Sequence, residues 1–174
     1  ENCFATGTIK AKEAVGGLVG KCEGELRNCV SYMKVKGKSL VGGLVGNILG
    51  GAVENCYVGG SVTVSGGKAS AGGVAGTFAV ATYLRNVASV IREVSGDEGA
   101  SDIDRLVGTL ESESGTNITN NYIWEGAILN GNAPVEHPNR SIAQAVSTET
   151  LMSRSLYKKN LGWEFNKIWS WVGT

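Results

Sequence analysis

The sequence predicts an all-β fold: a parallel β-solenoid (β-helix) of about four to five coils, finished by a C-terminal helix and an aromatic cap. Three observations carry this. The hexapeptide Val15-Gly16-Gly17-Leu18-Val19-Gly20 returns letter for letter at Val41-Gly42-Gly43-Leu44-Val45-Gly46. It weakens at Ala71-Gly72-Gly73-Val74-Ala75-Gly76 and degenerates at Ile103-Asp104-Arg105-Leu106-Val107-Gly108. A second motif, an asparagine followed by a small or apolar pair, alternates with the first at Asn2, Asn28, Asn55, Asn86 and Asn121. Between these signals apolar and polar residues alternate, as in Cys3, Ala5, Gly7 and Ile9 against Phe4, Thr6, Thr8 and Lys10. Val62 and Val64 stand the same way against Ser61, Thr63 and Ser65. Period two between glycine-rich corners is the pattern of short strands.

The spacings turn the motifs into an architecture. The closing glycines Gly20, Gly46, Gly76 and Gly108 are 26, 30 and 32 residues apart, and the asparagines 26, 27, 31 and 35. Periods in this range mean stacked supersecondary units. A unit of this length with two or three short strands is one coil, set about 4.8 Å from the next. Equivalent residues then stack. Leu18, Leu44, Val74 and Leu106 form an inner apolar ladder, while Val19, Val45, Ala75 and Val107 point to a second packed face or the wall. The glycine pairs serve corners that need positive φ or close backbone approach. They are no phosphate cradle: the spacing is G-G-x-x-G, with no following lysine-serine or lysine-threonine pair and no helix opening after it. The asparagines either stack as an amide ladder or act as turn residues accepting a local backbone bond.

Val-Gly-Gly-Leu-Val-Gly alternating with Asn-Cys-(Phe/Tyr) resembles the GLUG motif. The resemblance covers roughly residues 1 to 124, close in two copies, fair in a third and poor in a fourth. The ending Gly162-Trp163-Glu164-Phe165-Asn166-Lys167-Ile168-Trp169 is similar to the close of such arrays. The motif occurs in large secreted or wall-attached bacterial proteins, among them adhesins and the non-catalytic regions of zinc-dependent immunoglobulin A peptidases. The resemblance therefore implies an extracellular or cell-surface bacterial solenoid, and it implies no active site.

Composition narrows the function independently. The 174 residues carry 16 basic and 16 acidic side chains, a net charge of zero. A neutral chain has no general electrostatic footprint for a phosphate backbone or an anionic membrane, so the expectation is no nucleic-acid partner. No apolar run reaches the ~18 residues of a membrane span. The longest, around Leu40 to Val53, is broken by glycines and Asn47, so membrane insertion is not expected. The 42% apolar content argues for a folded chain. The chain opens at Glu1 inside a repeat, and the expectation is a piece of a larger parent with contiguous domains.

The chemistry-bearing residues are few. Cys3, Cys29 and Cys56 share one repeat position and Cys22 lies off it; the expectation is reduced, buried ladder thiols. There is no C-x-x-C and no H-E-x-x-H. His137, in the loop from Pro134 to Pro138, has no partner suggested by sequence. The acidic stretch around Asp97, Glu98, Asp102 and Asp104 is a weak calcium candidate, against the reading of a solvated insertion that lengthens its coil. No catalytic residue and no cofactor are predicted.

Along the chain, coils occupy residues 1–129, with repeats that lengthen from about Tyr83 and project loops from one face. Residues 130–146 read as a linker. Residues 147–174 read as a capping segment, in which Ser147-Thr148-Glu149-Thr150 offers an N-cap and Asn160-Leu161-Gly162 a stop for a helix of about three turns. Trp163, Phe165, Ile168 and Trp169 would be its apolar contact over the last coil, with Trp171 left exposed. The predicted function is a non-catalytic repeat segment of a bacterial surface protein, a rigid stalk or adhesive module presented to a host glycan or host protein. The alternative is an accessory substrate-positioning domain of a secreted zinc peptidase.

Overall fold

The computed structural model describes residues 1–79, 82–100, 102–111, 117–131 and 142–171. Each coil is built from four strands. The first coil holds β1 (Phe4–Lys10), β2 (Val15–Gly16), β3 (Val19–Cys22) and β4 (Glu25–Arg27), and the second β5 (Val30–Gly37), β6 (Val41–Gly42), β7 (Val45–Ile48) and β8 (Ala52–Glu54). The third holds β9 (Tyr57–Val64), β10 (Ser70–Gly72), β11 (Ala75–Phe78) and β12 (Tyr83–Arg85). The fourth holds β13 (Ala88–Gly96), β14 (Asp102–Asp104), β15 (Val107–Leu110) and β16 (Asn117–Thr119). A partial fifth adds β17 (Tyr122–Trp124) and β18 (Ile128–Leu129), and β19 (Gln144–Val146) stacks on β17 as the start of the next.

Corresponding strands pair in parallel, so the chain is a β-solenoid with four sheets as its walls. The longest sheet runs β1-β5-β9-β13-β17-β19, with β18 also on β13; the others run β2-β6-β10-β14, β3-β7-β11-β15 and β4-β8-β12-β16. β5 and β9 pair without a shift from Val30↔Tyr57 to Gly37↔Val64. In-register pairing stacks like on like. Ile9, Val35, Val62 and Val94 form one inner column. Leu26, Val53, Leu84 and Ile118 form a second, and Cys22, Ile48, Phe78 and Leu110 a third. Each fully buried Val, Leu, Ile or Phe contributes roughly 1.5–3 kcal/mol, so the columns are the main store of stability.

Both ladders of the glycine hexapeptide are buried. Leu44, Val74 and Leu106 are wholly inaccessible, as are Val45, Ala75 and Val107. Leu18 and Val19, on the first coil, are half-buried against the same core. The ladder is tied by backbone bonds: Leu18 N–H donates to Leu44 O at 3.0 Å, Leu44 N–H to Val74 O at 3.0 Å, and Val74 N–H to Leu106 O at 2.8 Å. The hexapeptide glycines owe their place to close approach and not to positive φ, since none of them adopts it. A Cβ on Gly42 would collide with Val45 O in its own corner, and one on Gly43 would collide with Gly73 O of the next coil.

Positive φ falls instead on Ala14 and Leu40, just before the first two hexapeptides, on Lys68, and on the repeat asparagines. Asn2, Asn28, Asn55 and Asn86 have φ of 57, 56, 53 and 57°, the left-handed conformation that asparagine tolerates better than other side-chain-bearing residues. The fifth member is Asn120, at φ 54°, and not Asn121. Register places Tyr122 opposite Ala88, so Asn121 occupies the position of Cys56 and Val87. There it is buried, accepting from Val87 N–H at 3.0 Å and donating to Leu84 O at 2.9 Å. An amide rung forms between Asn120 Nδ2 and Asn86 Oδ1 at 2.8 Å, so turn and ladder roles coexist there.

The acidic stretch lengthens its coil relative to the second, where three residues lie between Gly37 and Val41 against six between Gly96 and Ile103, but the third coil is lengthened equally at the same corner. Five residues separate Gly96 from Asp102 and five separate Val64 from Ser70, and Lys68 N–H donates to Gly99 O at 3.0 Å across the two corners. The fourth coil's further length over the third comes from a bulge at Arg92, where β13 slips against β9, and from a longer step between Leu110 and Asn117. Gln144–Val146, within the segment read as linker, is a strand on β17. His137 and both prolines lie outside the described residues.

Three substitutions separate ladder from corner. Leu44→Asp buries an unpaired charge and is expected to abolish the folded state. Gly43→Ala forces neighbouring coils apart and is expected to cost about 1–3 kcal/mol or more. Gly67→Ala, with nothing within 4 Å of its Cβ, leaves stability within about 0.5 kcal/mol. Urea unfolding followed by circular dichroism reads all three; equal midpoints for the Gly43 and Gly67 variants contradict the packing described.

Candidate functional site

Alternate side chains of the longest sheet face outward and stack in columns of their own. One column is Phe4, Val30, Tyr57, Ala88 and Tyr122. The C-terminal segment packs on this flank. Ser147 caps α1 (Thr148–Leu151) by accepting from Thr150 N–H at 3.3 Å. The expected three-turn helix is broken after one turn: Ser153 Oγ accepts from Ser155 N–H at 3.3 Å, a local bond that competes with helix continuation. A π-helical turn then spans Leu156–Asn160, and Gly162 turns the chain at φ 68°.

Leu151, Leu156, Tyr157, Leu161 and Trp163 are buried with Ala88 and Tyr122 in one cluster, to which Tyr57, Val90, Phe165 and Trp169 add. Trp163 Nε1 donates to Asn86 O at 3.1 Å, Trp124 Nε1 to Thr148 Oγ1 at 3.1 Å, and Asn120 Nδ2 to Asn160 O at 2.7 Å. The segment is thus a strap along the side of the solenoid, reaching back across several coils, and not a lid over its last coil. The cause is the outward apolar column, which needs covering, while β19 continues the sheet beyond β17. Ile168, expected in the contact, is 44% exposed. Trp171 is exposed and close to Tyr157, with ring centroids 5.6 Å apart.

Between strap and sheet lies a cavity of about 410 Å³, lined by Val30, Tyr57, Tyr157, Trp163, Phe165, Trp169 and Trp171 among others. Trp163 and Trp169 stack with centroids 4.2 Å apart at 15°. Arg154 lies over Phe165 at 4.9 Å. Burial pushes the phenols of Tyr57 and Tyr157 up, and Tyr157 donates to Leu151 O at 2.7 Å.

The ladder thiols are free, as is Cys22. Cys29 and Cys56 are wholly buried, whereas Cys3, on the first coil, is exposed. Cys29 Sγ lies 3.1 Å from Arg27 O and accepts from Cys3 N–H at 3.4 Å; Cys56 Sγ donates to Glu54 O at 3.1 Å. Hydrogen bonding from the Cys56 thiol pulls Cys29 down from 9.0 to about 6, against the opposing effect of burial, and Cys56 is correspondingly raised. Cys22 stacks under Ile48 on another wall.

The calcium candidate is not assembled. Among the described residues no three His, Cys, Asp or Glu side chains converge on a metal position. Asp97 and Glu98 are exposed in a corner turn. Asp104 accepts from Leu106 N–H at 2.8 Å and Asp102 from Thr109 Oγ1 at 3.1 Å, so these carboxylates hold their own coil. A charge contact that sequence reading missed lies on the fourth wall. Glu54, nearly buried, sits in register between Arg27 and Arg85, at 3.4 Å and 2.6 Å. Its signal was a recurring charge in the third residue of the 25–27, 52–54 and 83–85 segments.

Residues 37–63 match the family model described as the GLUG motif. They run from the end of β5 through the hexapeptide to β9, so the match supports a GLUG repeat region centred on the second coil. No curated protein and no solved structure matches the chain.

Two measurements test these features. Trp163→Ala removes the centre of the strap contact, a change worth about 3–5 kcal/mol in a core. Hydrogen exchange should rise across residues 147–171 while β5 to β8 stay protected; unchanged exchange in the strap contradicts the docking. The thiol pair gives a pH signature. The folded pair releases its first proton earlier than the unfolded chain, so stability rises with pH from about 6 to 9. It releases its second later, so the gain is lost above that range. The melting temperature should climb between pH 6.5 and 8.5, and Cys29→Ser should flatten the climb; an equal climb in the variant contradicts the coupling.

Proposed function

We propose that this chain is a non-catalytic structural segment of an extracellular bacterial surface protein, a rigid stalk whose outward residues are available to a ligand. The observation that supports this most is the repetition itself. The same inner side chains and the same corner glycines recur in successive coils and lock backbone to backbone. Such a unit can be lengthened coil by coil without redesign, because each coil touches only its neighbours. The GLUG match on the second coil agrees with this use of the sequence.

The outer surface divides the labour. One flank is covered by the strap; the remaining outward positions, polar apart from exposed side chains such as Tyr32, Leu49 and Tyr83, are released from core packing, as on solenoid faces that meet partners. The reading is tested on the cells that make the protein. Antibodies to the folded chain should label intact cells, and protease added outside should remove the label. Signal only after permeabilisation overturns the surface assignment.

A further inference from the structure

The zero net charge conceals a segregated one. Lys34, Lys36 and Lys38 alternate along β5 and its exit, so all three face outward. In-register pairing sets Lys10 directly opposite Lys36. Lys38 N–H donates to Lys12 O at 2.9 Å, which stacks that pair of residues too. Lys10, Lys12, Lys36 and Lys38 thereby form a two-by-two array, about 4.8 Å apart between coils and about 6.7 Å along the strand. All four are exposed. Together with Thr63 and Ser65 they line a recess of about 530 Å³. Among the described residues none of the four joins an ion pair; the pairs present involve Arg27, Arg85 and Lys167. Glu13, beside Lys12 in sequence, is exposed and outside ion-pair distance.

Like charges directly opposite one another across strands destabilise a sheet. Here they are doubled in one recess, and among the described residues none is held in an ion pair. An anion seated between them would relieve that repulsion and gain from the converging field. We propose that this recess binds a sulfated or similarly anionic polysaccharide. The chemistry favours a sugar over a nucleic acid: no aromatic ring lines the recess, so bases would find nothing to stack on, while the Thr63 and Ser65 hydroxyls suit sugar hydroxyls. A membrane is disfavoured because the only apolar side chain lining the recess is the small Ala11, which cannot anchor in the acyl boundary. The proposal deepens the surface-module reading by naming a partner class, and its test is independent of the cell-labelling experiment.

The experiment is surface plasmon resonance of the whole chain on immobilised heparin, with neutral dextran and a single-stranded oligonucleotide in parallel. The parent should bind heparin, with affinity falling as salt rises, and should ignore dextran. Lys12→Gln with Lys38→Gln should weaken binding at least tenfold and flatten the salt dependence. Lys158→Gln with Lys159→Gln, on the strap, should leave it within twofold. Unchanged circular dichroism checks the fold of each variant. No binding to heparin, equal losses in the two variants, or an oligonucleotide bound as tightly as heparin would each overturn the proposal.

Discussion

The contact on which the structure depends is the approach of one coil's backbone to the next at the glycine corners. Parallel strands sit about 4.8 Å apart, and the four walls must keep that spacing through every corner. At Gly42 and Gly43 carbonyl oxygens of the same corner and of the next coil occupy the space a side chain would need. The paired glycines therefore recur because neighbouring chains pass there, and Leu44 and Val45 follow them into the core. Where the glycines fade, as at Asp104-Arg105, the coil still stacks: Gly73 N–H reaches Asp104 O at 3.1 Å.

Alternation along the strands then separates two tasks. Inward residues build columns that are mostly apolar from coil to coil, with buried Ser31, Ser89 and Asn121 as polar members. Outward residues are released from packing, and the flanks diverge. On one flank an apolar column recruits the C-terminal strap, with Trp163 anchored on Asn86 O and on the Trp169 ring. At the other end of the same sheet the outward positions are lysines. One wall thus carries both its own cover and an unpaired charge array.

The solenoid was legible because its cause is periodic. The hexapeptide, the asparagines and the period-two segments all report the same coil, and the inner ladder of Leu44, Val74 and Leu106 follows from alignment alone. What escaped depends on register to a single residue or on the outer surface. Two asparagines stand together at 120 and 121, and only strand pairing shows that the first makes the left-handed turn while the second fills the core. The tryptophans announced a packed segment, but no pattern in them distinguishes an end from a side. The lysine array was written as Lys34-x-Lys36-x-Lys38, and summing charge over the whole chain averaged it away.

Successive coils stack in parallel with equivalent residues directly above one another. Nuclear Overhauser contacts between selectively methyl-labelled Leu and Val side chains test this stacking most directly. The structure predicts cross-peaks from Leu44 to Leu18 and to Val74, and from Val74 to Leu106, with none between Leu44 and Leu106, which are two coils apart. Leu44 methyls that contact Leu106, or that contact no other member of the ladder, would contradict it.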